Sequence, residues 1–123
     1  MTKNTPCSDN LIGLIIQGME DIKGEDISIL DLRNIENTVC DYFIICDGSS
    51  NIQVNSIISS INKVVRKGIK EKPYQIEGME NSEWVLMDYI DVVVHVFKKD
   101  KRSFYDIESL WGDATITKIK SSY

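Results

Sequence analysis

Few residues in this chain can carry chemistry. It has a single histidine, His95, and three cysteines, Cys7, Cys40 and Cys46, none in a C-x-x-C pair. Zinc ligation favours closely spaced pairs and a secreted disulfide scaffold an even number, so the thiols are expected to be buried or incidental in a reducing compartment. With two prolines and 42% apolar residues, disorder is not the theme. No apolar run approaches the roughly 20 residues that span a bilayer, because "LIGLII" is soon followed by "EDIKGED". The start, "MTKNTPCSDN", lacks a basic segment followed by an apolar one. A soluble, cytoplasmic protein without membrane contact is the expectation. Positive charge is the minority: 14 Lys and Arg against 19 Asp and Glu give −5. That balance argues against tracking a phosphate backbone unaided and suits a basic protein partner.

What is present fits one domain of 123 residues with a sizeable core. Ser8 or Asp9 can cap a helix from about Asn10 to Lys23, with Ile12, Ile15, Ile16, Met19 and Ile22 on one stripe and Gly24 as the stop. Gly13 and Gly18 weaken that helix by up to about 1 kcal/mol each. "DISILDL" and "DYFIICD" read as strands. Ser49 or Ser50 then caps a second helix to about Lys67, buried through Val54, Ile57, Ile58, Ile61, Val64 and Val65, with Gly68 as its stop. "KPYQIEG" is a third strand confined by Pro73 to an edge or a strand's start. A terminal helix should turn Phe104, Ile107 and Leu110 inward, and the ordered core should run from about 9 to 113. The tail, 114–123, has little to anchor it and is expected to be mobile. The sum is an α/β (α+β) single domain over 1–123, its mixed, mostly five-stranded sheet packed with helices.

"EWVLMDYIDVVVHVF", Glu83 to Phe97, supplies two further strands. With Tyr89 and Ile90 as a two-residue loop, Asp88 pairs with Asp91, Leu86 with Val93 and Trp84 with His95. Val85, Met87, Val92, Val94 and Val96 then form the face against the helices. The opposite face mixes Trp84, Leu86, Val93 and Phe97 with Asp88, Asp91 and His95. Ile90 resists the positive φ that a primed turn needs, so the alternation is firmer than the turn type. Only a loop of unchanged parity keeps these faces. From Glu77 to Phe97 there are acids but no Lys or Arg. The aspartates are therefore either solvated turn residues or are met by a cation, from Arg33, from Lys63, Arg66 and Lys67, or from outside the chain. Trp84 alone is better read as core or half-core than as an anchor; an aromatic beside acids is what a protein-binding hot spot uses.

Catalysis finds little support. His95 stands four residues, about 13 Å, beyond Asp91 along a strand, too far to share a metal without a sharp bend. "DGSS" resembles the Gly-Ser entry of nucleotidyltransferases, and a small-residue helix start can bind phosphate. Asp88 and Asp91, three apart across a turn, do not project like that superfamily's alternating metal ligands. A plain helix cap is the simpler reading. An enzyme with Mg²⁺ at Asp88 and Asp91 and phosphates at Gly48 and Ser49 remains the alternative, beside an adaptor for some other basic protein.

"CDYFIICDGSS", "EGMENSEWVLMDYIDVVVHVF" and "RSFYDIESLWGDA" together resemble the ribosomal silencing factor family, also called Iojap-like proteins, from about Asp9 to Ala114. The family usually has Leu at Met87 and Gly at Ile90, so this chain departs at the turn. The resemblance implies a nucleotidyltransferase-like scaffold without catalysis, cofactor or metal. It implies a translation repressor that docks on a basic protein of the large ribosomal subunit, number fourteen, and blocks the small subunit, with a homodimer in the free state. Direct nucleic-acid binding is not its main contact. Applied to the hairpin faces, it makes Trp84, Leu86, Asp88, Tyr89, Asp91 and His95 the expected docking residues.

Overall fold

The structure, a computed structural model, describes residues 4–38, 40–121 and 123, with side chains from Asp9 onward. The Cys7 thiol and the Ser8 hydroxyl lie outside the described residues. The elements are α1 (Asn4–Asp21), β1 (Glu25–Asp31), β2 (Tyr42–Gly48), α2 (Asn51–Ile69), β3 (Gln75–Glu77), β4 (Trp84–Asp88), β5 (Val92–Lys98), α3 (Lys99–Tyr105), α4 (Ile107–Leu110) and β6 (Thr115–Lys118). One mixed sheet runs β3-β4-β5-β2-β1-β6. β2 and β5 are parallel and every other neighbour is antiparallel.

The helices divide the core in two. On one face, Ile15 and Met19 of α1 and Val54, Ile57, Ile61 and Val65 of α2 close over Ile44, Val85, Met87, Val94 and Val96. On the other, Leu30, Phe43, Ile45, Val93 and Phe97 pack with Ile107, and the short α3–α4 segment leaves part of that face open.

Several boundaries differ from the sequence pattern. α1 begins at Asn4, so residues 8 and 9 lie inside it rather than capping it. It ends through Lys23 in the left-handed region, with Gly24 N–H returned to Met19 C=O at 2.8 Å and Lys23 N–H to Glu20 C=O at 2.9 Å. Gly18 is not a simple weakness: a Cβ there would stand 2.7 Å from the Ile61 Cα, so the glycine is what lets α1 and α2 approach. α2 is capped by Ser50, whose hydroxyl accepts Gln53 N–H at 3.1 Å. It passes through Gly68, against which Leu14 packs, and stops at Lys70 with φ 61.

Two corrections concern the C-terminal part. The terminal helix is two short ones, because Asp106 takes φ 46 and resets the helical phase. Ile107 is buried as expected, but Phe104 and Leu110 are 76% and 77% exposed instead of inward. The sheet has six strands rather than five. The stretch from Ala114 does have an anchor, since Thr115–Lys118 pairs antiparallel with β1 from Asp31 to Ser28 and Ile119 N–H adds a bond to Ile27 C=O.

Candidate docking face

The hairpin keeps its expected faces but not its expected register. Trp84 stands opposite Phe97, Leu86 opposite His95 and Asp88 opposite Val93. Each partner is two positions further along than a two-residue loop would give. A shift of two returns every side chain to the same side, so the alternation survives. The turn itself is tight. Ile90 sits at φ 77, Asp91 N–H closes onto Tyr89 C=O at 3.0 Å, and Tyr89 N–H reaches Val92 C=O at 2.9 Å. This is a γ-type bend, a rare and strained one for a β-branched residue. The Asp88 carboxylate holds it, accepting Ile90 N–H at 2.8 Å.

His95 and Trp84 form a pair across the strands. Trp84 Nε1–H donates to His95 Nδ1 at 3.0 Å, a diagonal contact rather than the direct pairing expected. With Nδ1 accepting, the neutral ring carries its proton on Nε2. That atom is buried and without a partner among the described residues. The imidazole is 4% exposed and has Phe43 edge-on at 4.5 Å. Burial pushes its pKa down to about 4. His95 therefore lies beneath the surface as a neutral acceptor that fixes Trp84. The indole is half-buried, stacked on Phe97 at 5.1 Å and met by Tyr105 at 4.7 Å.

The six expected residues do not all share one surface. Trp84, Leu86, Asp88 and Asp91 are half-buried. Tyr89 is not on this face: it is buried in the core on the helix side, its parity matching Val85 and Met87, and burial pushes its hydroxyl up to about 12. Three residues missed by the pattern belong to the surface. Tyr105 and the exposed Phe104, their rings 5.1 Å apart, widen the apolar part beside Trp84. Asp41 joins Asp88 and Asp91, because Asp91 C=O accepts both Asp41 N–H at 2.8 Å and Tyr42 N–H at 3.2 Å. Burial raises the Cys40 thiol to about 11, and the nearby carboxylates of Asp41, Asp88 and Asp91 push the same way. A signal for Asp41 was available: it immediately precedes β2 as Asp91 precedes β5, and these strands run parallel.

Among the described residues, no cation pairs directly with this turn, although Arg33 acts on Asp41 at longer range. Arg33 is held by Asp31 at 2.7 Å, over the Tyr42 ring at 5.1 Å. Among the described residues, no salt bridge reaches Asp41, Asp88 or Asp91. Three solvated carboxylates therefore rim an apolar patch, with Ile90 exposed at the tip.

The same geometry takes apart the enzymatic alternative. Gly48 ends β2 and Ser49 follows it, whereas Asp91 precedes β5. The parallel register from Tyr42 with Val92 to Gly48 with Lys98 sets them about 20 Å apart. The Ser49 N–H, where a phosphate would sit, already donates to Gln53 Oε1 at 2.7 Å. Among the described residues, no helix is long and apolar enough to cross a membrane.

Residues 5–122 match the RsfS family, described as "Ribosomal silencing factor during starvation". The chain is 40% identical over 114 residues to the ribosomal silencing factor RsfS of Halalkalibacterium halodurans, covering 92% of this chain and 95% of that protein. To the RsfS of Bacillus subtilis it is 41% identical over 111 residues, 89% of this chain and 92% of the other. A crystal structure of a Chromobacterium violaceum protein superposes with a TM-score of 0.79 at 38% identity, covering 85% of each chain.

Proposed function

The chain belongs to the RsfS family of ribosomal silencing factors, non-enzymatic ribosome-binding proteins, and from that membership we propose that it docks on large-subunit ribosomal protein number fourteen and keeps the small subunit from joining. The observation that carries this reading is the open sheet face, on which a tryptophan fixed by a buried histidine stands at one end of β4 and three carboxylates at the other, with no salt bridge to them among the described residues. Trp84, Leu86 and Tyr105 supply apolar area, and Asp41, Asp88 and Asp91 meet Lys or Arg of the partner. His95 acts through Trp84, holding it in one rotamer so that less freedom is lost on docking. Exposed Phe104 and Leu110 favour a homodimer while the protein is free.

Repression then needs no bond-making. A blocker at about 100 times its dissociation constant disfavours joining by about 2.7 kcal/mol, close to a hundredfold. Co-sedimentation with isolated large subunits tests the reading. Trp84→Ala and Asp91→Lys should remain folded and fail to pellet with subunits, the charge reversal with the larger loss at low salt. Asp91→Lys pelleting like wild type would show that the acidic turn is not the contact.

A further inference from the structure

The chain is acidic overall, yet Lys63, Arg66, Lys67, Lys70 and Lys72 crowd the end of α2 and the segment leaving it. All are exposed, and among the described residues none forms a salt bridge. Arg66 and Lys67 lie in the helix's last turn, where cations complement its dipole. Lys70 caps the helix, its N–H closing onto Arg66 C=O at 2.9 Å, so the dipole reaches it too, whereas Lys72 lies beyond that end and has no such explanation. The segment also has a defined position. Tyr74 N–H bonds to Asp88 C=O at 2.7 Å, so the basic stretch runs directly into the rim of the acidic turn. Arg66 is near enough to act on the buried Tyr89 hydroxyl. Tyr74 itself is 74% exposed, an aromatic ring with no core to fill.

We infer that this segment is a second contact, for RNA of the large subunit beside the docked ribosomal protein. The five cations meet backbone phosphates, and Tyr74 offers a stacking face to an unpaired base. The inference rests on the docking proposed above, which brings the segment to the subunit surface. A net charge of −5 opposes RNA tracking by the whole protein, but not a local contact once the acidic turn is seated on a protein. An RNA strand is narrow enough to follow the basic edge alone. A flat anionic membrane would also press on Asp88, Glu71 and Glu77, so RNA is the better fit.

The test compares the full chain with Lys67→Gln/Lys70→Gln and with Tyr74→Ala. Two lost phosphate contacts should reduce the log–log salt slope of subunit binding by about 1.4 and weaken it roughly fifteenfold at about 0.15 M salt relative to 1 M. Binding to the isolated ribosomal protein should not change. A fluorescent RNA hairpin should bind wild type at low salt, and both variants more weakly. Unchanged subunit affinity and slope in the double variant overturn the inference and leave the docking intact. Loss of subunit binding in Asp91→Lys together with anionic-vesicle binding, and no hairpin binding, by wild type also overturns it. If Asp91→Lys binds normally, the docking reading fails and the hairpin arm decides the RNA contact alone.

Discussion

Lowering the pH should loosen this protein through one residue. His95 is the only histidine, so its titration can be followed without overlap. Its folded pKa is pushed from 6.5 down to about 4 by burial. Above pH 6.5 the ring is neutral in both states and contributes no pH dependence. Between 6.5 and 4 the unfolded chain takes up a proton that the folded one refuses, so stability falls as the pH falls. Across that window the loss comes to roughly 3 kcal/mol, a large share of a small domain's stability. Protonation would also turn Nδ1 from acceptor to donor and break its bond with Trp84. Urea titrations at pH 7 and pH 4.5 on wild type and His95→Gln should therefore show a steep decline only in wild type. Trp84 fluorescence, read in a Trp111→Phe background, should stay constant in the folded protein down to about pH 4, where the folded ring takes its proton. A histidine titrating near 6.5 by NMR, or wild-type stability no steeper than that of the variant, refutes the assignment.

Five further variants test the packing. Gly18→Ala should cost about 1–3 kcal/mol, since its Cβ would meet the Ile61 backbone at 2.7 Å, whereas Gly13→Ala, with nothing within 4 Å, should gain up to about 1 kcal/mol. Urea midpoints of the two variants should move in opposite directions. Ile90→Gly should stabilise by about 1 kcal/mol by releasing the strain of φ 77, and a fall in its melting temperature would mean the bend is not strained. Arg102 bonds Asp47 at 3.1 Å, Glu108 at 2.7 Å and the Asp26 C=O at 2.6 Å. Burial lifts the Asp47 carboxyl above its usual range even with this partner, so Arg102→Met should cost about 3–5 kcal/mol and adding Asp47→Asn should recover part of it by denaturant titration.

The faces of the hairpin were legible because alternation depends only on parity, and a two-residue shift does not disturb it. The register was not, because a strained γ bend at Ile90 costs what the sequence pattern assumes no isoleucine will tolerate. The C-terminal helix misled for a related reason. Phe104, Ile107 and Leu110 have helical spacing, but Asp106 in the left-handed region breaks the count after Tyr105. β6 left only a faint trace, since all four of its residues are exposed and it is held by backbone hydrogen bonds, with Ala114 and Ile119 packing on the core at its two ends. The start of α1 was equally quiet, with polar residues over its first turns.

What the pattern concealed bears on the site. Had the helix run on, Phe104 and Leu110 would have joined the core, and the open face would have ended at Trp84. The break at Asp106 turns them outward while Arg102 keeps the segment on the sheet. Trp84, bonded to His95 Nδ1 and stacked on Phe97, is presented with its conformation already fixed, and rigid side chains lose little entropy on association. The carboxylates follow the opposite rule. At a solvated turn Asp41, Asp88 and Asp91 cost little in the free state, and among the described residues no salt bridge has to break before a cationic partner reaches them. The apolar half sets how long such a complex lasts, and the acidic half how fast it forms and with whom.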